Sequence, residues 1–127
     1  MIAENYRLLI EKLKHKIAKR EAIWTKTSRD EEFKLHIGKV TILLDCWYDE
    51  VSFNKKVDLV ILNEDGEKID GIILSNGEAG YELLLEMHTL AKQSYYKIDE
   101  TFKSIFEALD SNKIVGDKKK NELDDLI

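Results

Sequence analysis

The apolar positions at the start of the chain recur mainly at steps of three and four residues. They are Ile2, Tyr6, Leu9, Ile10, Leu13, Ile17 and Trp24. Because a helical turn takes 3.6 residues, such steps gather side chains along one side of a helix. Neither glycine nor proline interrupts the stretch. We therefore predict an amphipathic helix over residues 2–24, followed by a polar connection over 25–32.

The next part of the chain changes to a period of two, which is typical of strands. Apolar and polar residues alternate over 33–37, and apolar residues again occupy every second position at Val40, Ile42, Leu44 and Cys46, with Gly38-Lys39 between these runs. A two-residue turn with glycine first favours a type II′ hairpin. Two further apolar runs, 57–62 and 69–74, flank the turn residues 63–67. Four short strands joined by local connections predict an antiparallel meander.

The most regular apolar pattern follows residue 77. Its members are Tyr81, Leu84, His88, Ala91, Tyr95, Ile98, Phe102, Ile105 and Leu109. Their alternating steps of three and four predict one long helix over 78–110. Such a helix would be about 48 Å long, whereas a six-residue strand spans about 20 Å. The helix must therefore overhang the sheet, break near Gln93-Ser94, or use its second half against another surface.

Together these elements predict an α+β fold in the order α-β-β-β-β-α. We expect both helices to pack on one sheet face, because each has one apolar stripe to bury. Residues 1–110 are expected to form a single domain, and residues 111–127 a charged, mobile tail. The predicted core positions on the sheet are Val40, Ile42, Leu44, Leu59, Ile61 and Ile73.

Charge and composition limit the function classes. The chain has a net charge of −5, distributed as +5 over residues 1–29 and −10 over the rest. The Lys and Arg residues of the first helix are spread around its circumference, so we expect a solvated face paired with acidic residues of the last helix and not a nucleic-acid interface. No apolar run is long enough to span a bilayer, so no membrane association is expected. The proline-free, Lys-rich composition is compatible with a bacterial source.

Cysteine and histidine are too few to indicate redox or metal chemistry. Cys46 is the only cysteine and lies on the apolar parity of a predicted strand, so we expect a packed core thiol in a reducing, cytoplasmic compartment. Three scattered histidines do not make a structural zinc site; His88, on the apolar side of the last helix, is expected to be a core or interface residue. We predict no metal and no cofactor.

The sequence contains neither a P-loop nor a Gly-x-Ser-x-Gly elbow, two motifs typical of enzymes. We predict no catalytic residues. Carboxylates and aromatic residues do cluster in the sequence at the end of the second strand, where they could form a small ligand-binding edge. The residues of this candidate edge are Asp45, Trp47, Tyr48, Asp49 and Glu50.

The second half of the last helix is the leading candidate for function, because the sheet is too short to cover it. The residues of this candidate interface are Ile98, Phe102, Ile105, Phe106 and Leu109. We therefore expect a non-enzymatic protein-binding module, adaptor-like or immunity-like, that acts as a homodimer or on a protein partner. A small-ligand or nucleic-acid-binding domain is the alternative, and an enzyme whose carboxylates converge only in the fold is a third possibility.

Overall fold

The computed structural model describes residues 3–117, and the chain divides into two compact units at the Lys97–Ile98 boundary. Within the described residues, the first unit contains two helices and a sheet, and the second contains one helix. The predicted domain limit at residue 110 falls inside the second unit. Of the predicted tail 111–127, residues 118–127 lie outside the described residues.

The first unit begins with α1, Glu4–Ala18. The prediction that this helix continues to Trp24 is wrong. Arg20 has a positive φ of 60°, and its N–H and that of Glu21 donate to the carbonyls of Ile17 and Lys16. These are the two hydrogen bonds of a Schellman motif, which ends a helix. Trp24 is nevertheless buried, outside the helix.

Five strands follow and form one antiparallel sheet in sequential order. They are β1 (Thr25–Lys26), β2 (Phe33–Ile37), β3 (Val40–Asp49), β4 (Asn54–Leu62) and β5 (Lys68–Ser75). The predicted antiparallel meander is confirmed, with the two-residue β1 added at one edge. Ile37 pairs with Val40, and Gly38 has a φ of 60°, as a two-residue hairpin turn with glycine first requires.

The core lies between α1, α2 (Tyr81–Tyr96) and one face of the sheet. Its fully buried side chains include Phe33, Ile10, Leu44, Leu59, Leu84, Met87 and Val57. The prediction that Ile73 joins this core is wrong, because Ile73 pairs with Asp58 and is 54% exposed. Its neighbours Ile72 and Leu74 pack against the core instead. We call the sheet face that carries Asp58 and Ile73 the outer face.

The predicted long C-terminal helix consists of two helices, α2 and α3 (Ile98–Asp110). The break lies at Lys97, a few residues after the predicted Gln93-Ser94 position. Lys97 has left-handed backbone angles, φ 53° and ψ 48°, and its N–H contacts the carbonyls of Gln93 and Ser94. This conformation cannot continue a right-handed helix.

Candidate functional site

The five predicted interface residues all lie on α3. Four of them, Phe102, Ile105, Phe106 and Leu109, are between 44% and 61% exposed, and Ile98 is partly buried. No residue of α3 is buried. We call these five residues the apolar face of α3. The rings of Phe102 and Phe106, one helical turn apart, pack with their centroids 5.9 Å from each other.

The five residues of the predicted ligand edge do not form one cluster. Alternation along β3 places Asp45, Trp47 and Asp49 on the outer face, and Tyr48 on the opposite side. Tyr48 is exposed, and Glu50 lies in the turn after the strand. The sequence cluster is therefore divided between two faces and a turn.

The carboxylate of Asp49 is hydrogen-bonded to residues of the turn that follows it. Its carboxylate accepts hydrogen bonds from the Ser52 hydroxyl at 2.9 Å and from the Val51 N–H at 3.1 Å. The Ser52 hydroxyl bond is the main reason that the pKa of Asp49 is lowered, and the Val51 N–H adds to this effect. The Lys56 ammonium lies 4.0 Å away. Asp49 thus closes the β3–β4 turn.

Asp45 is a buried carboxylate near the middle of the sheet, with 3% of its surface exposed. Its Oδ2 contacts the Arg29 guanidinium at 2.8 Å, and its Oδ1 accepts the Cys46 N–H at 2.8 Å. A buried charge needs such partners, since an uncompensated one is strongly destabilising. Arg29 comes from the loop between β1 and β2, so this ion pair anchors the loop to the outer face.

Asp58 lies directly opposite Asp45 on β4 and therefore shares the outer face with it. Its Oδ1 is enclosed and has no hydrogen-bond partner among the described residues. Burial, followed by the charges of Asp45 and Glu32, raises the pKa of Asp58 to about 6, and Arg29 offsets part of this rise. We call Glu32, Asp45 and Asp58 the carboxylate row.

The loop that carries Arg29 is also held by α2. The carbonyl oxygen of Glu31 lies 2.6 Å from Nε2 of His88, and its carboxylate oxygens lie 3.0 Å from the Lys92 ammonium. His88 is buried, and its ring packs against Phe33. The prediction that His88 is a core residue is confirmed. His88 also anchors this loop through its contact with Glu31. The sequence alone did not predict this role, because the two residues are far apart in the chain.

Cys46 and the basic side chains of α1 also bear on expectations from the sequence. Cys46 is buried in the core, and burial is the main cause of its raised pKa. The thiol form is therefore favoured over the reactive thiolate. Lys14 of α1 contacts Glu86 of α2 at 2.8 Å, as expected for a basic helix paired with acidic residues of the neighbouring helix.

The sequence reasoning missed Asp58, Arg29 and Glu32. A signal existed for Asp58, because it is the only polar residue in the apolar run 57–62. A carboxylate inside a strand of this kind is costly unless it is solvated or paired. Arg29 and Glu32 carry no such signal, since both lie in a polar connection where charged residues are ordinary.

Within residues 3–117, no group of three or more His, Cys, Asp or Glu side chains is arranged to hold a metal ion. In the same part of the chain, no helix has the length and apolar character needed to cross a membrane.

Comparison with known proteins gives no relative from which a function could be inferred. No family model matches the chain, and no curated protein or solved structure shows significant similarity to it.

Proposed function

We propose that this protein is a non-enzymatic, adaptor-like or immunity-like binding module, and that the apolar face of α3 contacts its protein partner. The observation that carries the proposal is the exposure of four large apolar side chains on one side of a single helix. Contiguous apolar surface of this kind is typical of interaction sites. A reducing, cytoplasmic setting is part of the proposal, because the one cysteine is a buried free thiol.

The energetics of α3 support a binding role. Isolated helices shorter than about 12–15 residues are only marginally stable in water, and α3 has 13 residues, none of which is buried. Fully burying a Leu, Ile or Phe side chain contributes about 1.5–3 kcal/mol. A partner that covers the apolar face would therefore supply the stabilisation that α3 lacks.

The first unit supports the same proposal because it does not require this face. All the buried residues of the core cluster come from α1, the sheet, the segment before it, and α2. The polar groups of the candidate ligand edge are also engaged internally, since Asp45 contacts Arg29 and Asp49 contacts Ser52. Binding through α3 leaves these contacts unchanged.

The test is a comparison of two double variants in a pull-down from the source cell, at low salt and with chemical crosslinking so that a transient complex is retained. Phe102→Asp with Ile105→Asp places two charges on the apolar face, and Ile23→Asp with Val51→Asp changes two exposed apolar residues elsewhere. We expect the intact chain and the second variant to retain one discrete protein, and the first to lose it. Equal retention by all three would refute the proposal.

Two further measurements make the test specific. Urea unfolding should show that both variants keep the stability of the first unit, because the changed side chains are exposed. Light scattering after size exclusion should report the mass of the intact chain. A dimer that becomes a monomer only in the α3 variant would identify a second copy as the partner.

A further inference from the structure

The spacing along α3 indicates the shape of the surface that covers it. Ile98, Phe102, Ile105 and Leu109 follow one another at steps of four, three and four residues. This is the a/d spacing by which one helix packs along another. The 13 residues of α3 extend for about 20 Å. A partner helix can therefore follow the apolar face over its whole length.

The two flanks of the row Ile98, Phe102, Ile105 and Leu109 within the apolar face differ. Thr101 and Ala108, seven residues apart, lie on one flank, while Asp99 and Phe106, also seven residues apart, lie on the other. The distance between packed helix axes depends on the size of the side chains at the contact. The small flank therefore permits close approach, and the second flank offers an aromatic contact beside an acidic group.

The charge of the second unit indicates which helix would fit. Residues 98–117 contain five acidic and two basic side chains, a net charge of −3. A second copy would bring the same excess of negative charge against it, whereas a basic partner is attracted and steered to the site. We infer that the partner segment is a basic amphipathic helix, an inference that rests on the proposed binding role of α3.

The size of the site predicts a weak and salt-dependent complex. Specific, stable complexes bury at least about 1,200 Å² of surface in total. A single helix about 20 Å long is too small to bury that area. Electrostatic attraction must then supply a large part of the affinity, and salt screens it. This is the behaviour of a transient complex.

Three synthetic amphipathic peptides of about 20 residues, long enough to form helices, test the inference on the full chain. All carry Leu on one face, and the other face carries Lys, Gln or Glu. Exposed ion pairs contribute little each, so with three excess charges to pair we expect the Lys peptide to bind about tenfold more tightly than the Gln peptide. The Glu peptide should bind most weakly, and about 0.5 M salt should remove most of these differences.

Charge variants on α3 locate the attraction. Asp110→Lys changes a residue four positions after Phe106, beside the apolar face, and Glu107→Lys makes the same change in charge on the opposite side. We expect Asp110→Lys to weaken Lys-peptide binding about three times more than Glu107→Lys. Equal weakening would show that only net charge matters and would overturn the helical register proposed here.

The outcomes separate this inference from the proposed function. If the Lys and Gln peptides bind equally and Phe102→Asp abolishes both, the apolar face binds proteins but the partner class is wrong. If no peptide binds, the inference fails and the pull-down alone decides the proposed function, whereas peptide binding that Phe102→Asp leaves unchanged contradicts both. Leu8→Asp changes an exposed apolar residue of α1 and should leave binding unchanged. A dimer of the intact chain that Phe102→Asp dissociates would overturn the inference in favour of a second copy.

Discussion

Replacing Asp58 by asparagine should stabilise the protein at neutral pH. Asp58 faces Asp45 across β3 and β4, and its enclosed Oδ1 has no hydrogen-bond partner in the described part of the chain. Burial and the charges of Asp45 and Glu32 raise its pKa from the ordinary 3.8 to about 6. The ionised form is therefore the costly one, and asparagine resembles the protonated form.

The sign of the pH dependence follows from proton binding. Between about pH 4 and 6 the folded protein holds a proton on Asp58 that the unfolded chain has released, so stability falls as pH rises through this window. Below it both states are protonated and the cost is absent. Above about pH 6 the cost is complete and constant.

The magnitude has an upper limit set by the pKa. A rise from 3.8 to about 6 corresponds to about 3 kcal/mol at 1.36 kcal/mol per pKa unit. Asp58 is only partly buried, and solvent screening reduces this value. We expect Asp58→Asn to gain about 1–2 kcal/mol near pH 7 and nothing near pH 4.

Urea unfolding of both proteins from about pH 4 to pH 8 measures this difference, provided that the m-values agree. Glu64→Gln removes the same charge from the exposed β4–β5 turn and should give no comparable gain. The reasoning would be refuted if Asp58→Asn were no more stable than the wild type near pH 7. A gain that persisted near pH 4 would also refute it, because the amide and not the lost charge would then be responsible.

Three further predictions concern packing, turns and titration. Leu84 is fully buried, so Leu84→Ala should lower the free energy of unfolding by about 2–5 kcal/mol. Leu109→Ala on α3 should change it by less than about 0.5 kcal/mol. Urea unfolding of the unbound chain measures both values. Phe53 has a φ of 58° and is 75% exposed. Phe53→Asn should raise the free energy of unfolding by about 0.5–1 kcal/mol, because asparagine tolerates the left-handed region. An unchanged melting curve would contradict this. The Tyr6 hydroxyl donates to Asp70 at 2.7 Å and is the main cause of the lowered pKa of Asp70, so Tyr6→Phe should raise that pKa in an NMR titration.

The strand order could be predicted from the sequence because it depends on local signals. The Gly38-Lys39 turn and the Asn63–Glu67 turn each join neighbouring strands, and short connections between strands produce antiparallel pairs. The face of β5 could not be predicted in the same way. Ile72, Ile73 and Leu74 are all apolar, so alternation does not indicate which of them face the core. Only the pairing of Asp58 with Ile73 assigns Ile73 to the outer face.

The C-terminal ends of α1 and α2 were harder to predict because neither glycine nor proline occurs at them. Arg20 and Lys97 both have positive φ, a conformation for which glycine is the usual residue. Without that signal, the seven-residue spacing between Ile17 and Trp24 matched two further helical turns and led to a helix predicted too long. The carboxylate row was hidden for a different reason: its members come from three separate segments, and only the strand register brings Asp45 and Asp58 together.

The continuous pattern from Tyr81 to Leu109 shows what periodicity can and cannot indicate. Its first half, including Leu84 and Ala91, is buried in the core, while its second half, including Phe102 and Leu109, is exposed. The spacing is the same in both halves, so it signals that a helix has an apolar side to cover and does not identify the covering surface. The core of the first unit supplies that surface for α2. For α3, the net charge of −3 and the two unlike flanks are the remaining guides, and they favour a basic helix from another protein.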